Sequence, residues 1–219
     1  KGFRTNAEGL RPALDPAALC RPVVGGGERF SPVVRALAGM RVYSIQPSSL
    51  REMQDPGSGT VLSQNGGNAA SVLQELSRTN KETVTRVCEI LAKIVPNTTA
   101  VRSKKHGNKL SLEFTQKWAK DKTLKFEAFN MSDGTLRALG LLMAVFQRPV
   151  PTVLVIEEPE ATIHPGALGA ILDLIRHAAK QMQVVVTTHS PELLDEKWIQ
   201  DRHLRIVTWD EGASHVLPV

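Results

Sequence analysis

Apolar residues along this chain fall into patterns that change character near Asn130. Up to about Pro32, proline and glycine interrupt any periodicity, so loops or short elements are expected there. Residues 41–46 (RVYSIQ) alternate well enough to predict a short strand, and Pro47 is expected to stop it. Residues 54–68 carry glycines and a proline without a period, which predicts a surface excursion or a partly mobile segment. In residues 81–95, Val84, Val87, Cys88, Leu91 and Val95 make the stripe of an amphipathic helix closed by Pro96. Residues 109–114 (KLSLEF) and 124–129 (LKFEAF) alternate with period two around a lysine-rich turn, the pattern of a hairpin with one wet face.

Beyond Asn130 the elements become far more apolar. Residues 135–146 are apolar nearly all round and predict a buried helix, and residues 153–156 are an unbroken apolar run suited to a central strand. Pro165 suits a first helical turn, after which Leu168, Ile171, Leu172 and Ile175 form one stripe. Residues 184–186 repeat the buried-strand signature, and residues 204–209 predict another strand, turning at Asp210, Glu211 and Gly212 into a last one. Strand alternating with helix favours an α/β core with parallel central strands. Three regions are expected: a loop-rich segment 1–39, a middle lobe 40–130 with a helix and a basic hairpin, and a core 131–219.

Composition narrows the class. The 219 residues are 42% hydrophobic, enough for one sizeable core. No stretch reaches the roughly 18 apolar residues of a membrane span, and the opening KGFRTNAEGL has no signal-peptide apolar core, so a cytoplasmic protein without a membrane partner is expected. Cys20 and Cys88 lack the CxxC spacing of a metal or redox site and read as reduced structural thiols. A net charge of +5 permits a polyanionic partner but does not demand one. The chain opens on Lys1 rather than methionine, so natural sequence upstream is expected.

Three segments carry candidate chemistry. Residues 153–160 (VLVIEEPE) form an apolar strand ending in acids, and open α/β sheets bind ligands at the carboxyl ends of their strands. Adjacent strand residues face opposite ways, so Glu157 and Glu158 can do different work, one holding a hydrated Mg²⁺ and the other accepting a proton from an attacking water. Read alone, the same acids are a core strand running into a solvated loop. Residues 131–137 (MSDGTLR) place Ser132 and Gly134 at a helix N-terminus, where free amides and the helix dipole suit an anion, although simple capping explains them equally. Residues 184–191 (VVVTTHSP) bring His189 to a second strand end, where it either meets a phosphate oxygen or is merely a satisfied polar residue.

Together, in this order and spacing, these segments resemble the second half of an ABC-type ATPase head: signature loop MSDGTLR, Walker B strand VLVIEEPE, D-loop region ATIHP and histidine switch VVVTTHSP. The wording EEPE-x-x-I-H-P and THSPELLD most resembles the RecF/SMC/OLD-like bacterial ATPases, from about Met40 onward. The resemblance implies a partial P-loop NTPase core and ATP with Mg²⁺ as ligands. Glu158 would be the general base, His189 the γ-phosphate sensor and Glu157 the magnesium-side carboxylate, held through water. Ser132, Gly134 and Arg137 would be nucleotide contacts, and Gln46 the Q-loop residue. It also implies a homodimer closed around ATP, with residues 161–164 along its seam, acting in DNA repair or phage defence. Glu157 stands where the wider superfamily has aspartate.

One part of that pattern is missing. The phosphate cradle G-x-x-x-x-G-K-[ST] occurs nowhere, and Gly25, Gly26 and Gly27 are followed by Glu28 and Arg29. These residues alone are therefore expected to bind ATP poorly, with the phosphate-binding lobe as a missing partner. Arg102, Lys104, Lys105 and Lys109, followed by Lys117, Lys120, Lys122 and Lys125, read as a solvated hairpin face or as a path for DNA. A metal hydrolase using Glu158, Glu160, His164 and His189 is disfavoured, because Pro159 and Pro165 break any common ligand helix. A half-head that docks on a partner without catalysis is the other alternative.

Overall fold

The computed structural model describes residues 31–120 and 122–219, so the expectations for Cys20 and the Gly25–Gly27 run lie outside it. The chain divides into two units, Lys1–Gly39 and Met40–Val219. Helix α1 (Ser31–Ala38) belongs to the first.

The second unit runs β1 (Met40–Tyr43), α2 (Pro47–Arg51), α3 (Ala69–Thr79), α4 (Lys81–Ile94), β2 (Thr98–His106), β3 (Lys109–Ala119) and β4 (Lys122–Glu127). After a 3₁₀ turn (Ala128–Asn130) come α5 (Asp133–Phe146), β5 (Val153–Glu157), α6 (Pro165–Ala178), β6 (Gln183–Thr187) and α7 (Pro191–Leu194). A second 3₁₀ turn (Asp201–His203) leads to β7 (Arg205–Asp210) and β8 (Ala213–Pro218). Strand β1 ends at Tyr43, before Pro47, and the proline is instead the first residue of α2, because its fixed φ suits a helix start.

The site rests on a parallel sheet of order β1-β5-β6. Tyr43 pairs with Ile156, Ile156 with Val186, and Glu157 with Thr187, so all three strands end at one edge. Helix α5 is apolar nearly all round because it is buried among α2, α3, α4 and α6. Leu136, Leu139, Leu142 and Met143 are fully buried. Gly140 costs helix propensity yet is needed, since a Cβ there would stand 2.5 Å from Ile45 Cγ2. On the far face of the sheet Met40, Val42 and Val185 are each about two-fifths exposed. Residues 184–186 are therefore not the fully buried run their composition predicts; β6 alternates between half-buried and exposed positions. Strands β7 and β8 pair only with each other among the described residues, and every position in them is exposed, Trp209 and Val207 included.

The loop over residues 54–68 is packed rather than a free excursion. Gln54 exchanges both backbone hydrogen bonds with Leu110, at 2.8 and 2.9 Å, and Leu62 is buried. Buried Gln147 donates to the Tyr43 hydroxyl at 2.6 Å and to the Ala144 carbonyl, and its Oε1 accepts from the Leu62 N–H. Burial raises the Tyr43 pKa despite the Gln147 bond. Gln147→Leu strands two of these partners, so it should cost about 1–3 kcal/mol in denaturant unfolding.

The expected hairpin is a three-stranded antiparallel sheet, β2-β3-β4. Strand β2 was hidden in the sequence because its apolar positions are few among Arg102, Lys104 and Lys105. One face buries Val101, Leu110, Leu112 and Phe114, and the other is charged. Glu113, 4% exposed, accepts from Arg102 and Lys104, and Glu127 accepts from Lys104 and Ser111. Part of the basic cluster is thus neutralised internally.

Burial alone would raise the Glu113 carboxyl, but hydrogen bonds from Lys104 and Arg102 outweigh it and hold the group below the usual range. Glu127 follows the same course, with Lys104 and Ser111 prevailing over burial. Both acids bind protons more weakly folded than unfolded, so their contribution is present above about pH 5 and lost as pH falls below about 4. Glu113→Gln should lower the melting temperature at pH 7, and the gap from wild type should narrow as pH falls below the usual carboxylate range toward the lowered folded pKa of Glu113.

Candidate functional site

The site lies along the carboxyl edge of the parallel sheet. Strand β5 delivers Glu157 at its end, with Glu158 just beyond in a left-handed conformation, φ 42°. Both acids are exposed, as are Gln46, three residues past the end of β1, and His189, two past the end of β6. The Glu158 N–H donates to the Thr187 carbonyl at 3.0 Å, which fastens the acid-bearing loop to the histidine-bearing one. A second tie runs from the Thr188 hydroxyl to Glu160 Oε1 at 2.6 Å, while the Ser190 N–H donates to that same hydroxyl at 2.9 Å. Glu160 Oε2 is buried without a partner.

Ser132 is the N-cap of α5: its Oγ accepts from the Thr135 N–H at 3.2 Å and pairs with the Thr135 hydroxyl at 2.9 Å. The capping role is therefore present, and Ser132 is also exposed. Gly134 is fixed by its neighbour. A Cβ there would stand 2.6 Å from the Thr162 carbonyl oxygen, so only glycine lets the start of α5 approach residues 161–164 this closely. Between them opens a cleft of about 780 Å³, lined by Lys93, Ser132, Gly134, Thr162, His164 and Ala167. His164 caps α6 by accepting from the Gly166 N–H through Nδ1 at 3.0 Å.

Arg137 differs from the other expected nucleotide contacts. It is buried, and its guanidinium donates to three main-chain carbonyls, those of Ile45, Glu157 and Glu158. Burial lowers its pKa, opposed by the charges of Glu158, Glu160 and Glu157. Arg51, which lies outside every motif in the sequence, donates through Nη2 to the Met131 carbonyl at 3.0 Å and to Asp133 Oδ1 at 2.5 Å. The Gln46 segment and the signature-like loop are thereby tied together. No local signal marks such a contact across 82 residues of chain.

Mg²⁺ accepts one or two carboxylates with several retained waters, and exposed Glu157 at a strand end fits that habit. Among the described residues no three His, Cys, Asp or Glu side chains gather as a metal cage. No helix among the described residues is long and apolar enough to cross a membrane.

Acids and histidine share one edge of a three-stranded parallel sheet, beside a helix N-terminus, in a mixed α/β fold. Residues 96–195 match the family described as "AAA domain, putative AbiEii toxin, Type IV TA system". Among solved structures, the chain is similar to the SmcHead bound to the C-winged helix domain of ScpA, at 20% identity and TM-score 0.51, covering 65% of this chain and 44% of that one. It is also similar to an SMC ATPase studied for ATP-driven dimerisation and DNA-stimulated activation, at 21% identity and TM-score 0.48, covering 66% and 88%. A third is the Smc head domain of Pyrococcus yayanosii with a coiled coil and joint, at 20% identity and TM-score 0.46, covering 65% and 28%. The chain thus spans less than half the length of two of these three structures. No curated protein matches the chain. The family match and the SMC-head-like fold support an ABC/SMC-like AAA ATPase head region with a partial P-loop NTPase core.

Proposed function

We propose that this chain is part of an ATP-hydrolysing head that dimerises around ATP, completed by a phosphate-binding loop that none of its 219 residues supplies. The observation that carries the reading is the delivery of Gln46, Glu157, Glu158 and His189 to one edge by three parallel strands in register. In this reading Glu158 accepts the proton of the water that attacks the γ-phosphate, and His189 donates to a γ-phosphate oxygen. Glu157 would hold a Mg²⁺ through its water shell, and the ion would supply positive charge toward the phosphate oxygens. Ser132 and the α5 N-terminus serve the nucleotide held by the partner protomer, across the cleft beside residues 161–164.

Among the described residues, the exposed Met40, Val42 and Val185 and the two-stranded β7–β8 hairpin, which pairs with no other strand, favour a further covering element, since a lone two-stranded hairpin is marginal in water. The AbiEii-type family description favours defence over repair as the setting. DNA is the partner we assign to the uncompensated lysines at the tip of the β2-β3-β4 sheet, Lys117, Lys120 and Lys122, with exposed Trp118 beside them.

The test is self-association of the complete protein. ATP should drive a monomer-to-dimer shift in light scattering, and Ser132→Arg, which fills the cleft with bulk and charge, should abolish the shift while leaving monomeric nucleotide binding intact. An ATP-independent oligomeric state in both proteins would refute the reading. A second reading is a half-head that docks on a partner without turnover, which a complete protein that binds no ATP would establish.

A further inference from the structure

Arg137 is a buried cation for which the proposed chemistry has no use. It is 8% exposed, and no carboxylate accepts from it. Instead Nη1 donates to the Ile45 carbonyl at 2.7 Å, and Nη2 donates to the Glu157 carbonyl at 3.0 Å and the Glu158 carbonyl at 2.7 Å. Its Nε is buried without a partner. A guanidinium removed from water and spent on main-chain oxygens is an unfavourable way to stabilise a core, since an apolar residue fills such a space without the loss of hydration. The geometry at its acceptors suggests another reason for it.

Glu158 sits at φ 42°, a left-handed conformation that a residue with a Cβ adopts only under constraint. Its N–H is held by the Thr187 carbonyl and its own carbonyl by Arg137, so both peptide groups flanking its Cα are fixed. With the backbone locked on both sides, the carboxylate leaves the strand end in one direction. The same guanidinium holds the carbonyl of Ile45, next to Gln46, and it projects from α5, whose N-cap is Ser132.

We infer that Arg137 is a positioning residue for Glu158, holding the proton acceptor's backbone in its left-handed turn from the helix that carries the signature-like loop. This rests on the ATPase reading of the site. One consequence is that a shift of α5 when a partner's nucleotide engages Ser132 pulls directly on the Glu158 carbonyl. The partner's nucleotide and the acid of this protomer are then mechanically linked through one side chain.

The experiment is steady-state ATP hydrolysis by the complete protein with Arg137→Lys and Arg137→Ala, alongside Glu158→Gln. Lysine keeps the charge but cannot span three carbonyls. For both arginine variants, kcat should fall about 10- to 100-fold, with KM for ATP and ATP-dependent dimerisation within about threefold of wild type. Millimolar guanidinium ion should restore part of the Arg137→Ala turnover and do nothing for Glu158→Gln, a readout that general loss of fold would not give. Should Arg137→Ala fail to fold, the kcat and KM split in Arg137→Lys decides. Unchanged kcat in Arg137→Lys, or a loss shared equally by kcat, KM and dimerisation without guanidinium rescue, overturns the positioning role. Turnover persisting in Glu158→Gln would instead sink the ATPase reading beneath it, so the two failures are distinguishable.

Discussion

Glu158→Gln in the complete protein should reduce ATP turnover about 10²- to 10⁴-fold, the range expected when a general base is removed. Glutamine keeps the size of the side chain and loses only its capacity to take a proton. The strand end, the left-handed turn and the Thr187 contact belong to the main chain and should survive. Nucleotide binding should persist, and, in the proposed cycle where hydrolysis opens the dimer, the variant should remain trapped as an ATP-bound pair. Rapid filtration with labelled ATP and size-exclusion chromatography would read both effects. A glutamine variant with wild-type turnover would remove Glu158 from the chemistry.

Gly134→Val should weaken ATP-dependent dimerisation by about 5- to 150-fold, the equivalent of roughly 1–3 kcal/mol for forcing bulk into a packed contact. The atom in the way is the Thr162 carbonyl oxygen, 2.6 Å from where a Cβ would be, and main chain cannot swing aside as a side-chain end can. Residues 161–164 must move away from the start of α5, which reshapes the cleft that Ser132, Thr162 and His164 share. Thr162 itself sits at φ 63°, so its loop has little freedom to yield without further strain. Analytical ultracentrifugation with and without ATP would measure the change. An equal loss of dimer in Gly140→Ala, which crowds Ile45 in the core, would instead indicate general destabilisation.

The sequence was most readable where one physical demand set the pattern. The α5 helix and strand β5 are apolar because they are buried, and their ends fell within two residues of the expected positions. Pro165 and the stripe behind it located α6 for the same reason. Strand β2 was missed because its exposed face consists of cations whose partners, Glu113 and Glu127, lie on other strands. The loop over residues 54–68 looked free because its anchors, Gln54 on Leu110 and Leu62 on Gln147, are long-range contacts.

The strand ends that carry Glu157, Glu158 and His189 were legible, since acids after an apolar strand and a histidine after another form short local motifs. Its wiring was not. Arg51 on Asp133, Arg137 on the carbonyls of Glu157 and Glu158, and Thr188 on Glu160 join segments 20 to 82 residues apart, and a hydrogen bond to a main-chain oxygen leaves no mark in composition. Arg137 shows the consequence. As part of MSDGTLR it reads as a nucleotide contact, whereas its buried guanidinium is committed to the protein's own backbone.

The most direct test is the structure of the complete Glu158→Gln protein with ATP and Mg²⁺. It should show one triphosphate between two copies, with the substituted side chain at position 158 and His189 of one protomer and Ser132 of the other around the same γ-phosphate. A nucleotide bound away from the strand ends that carry these residues, or a pairing that leaves Ser132 in solvent, would contradict the account.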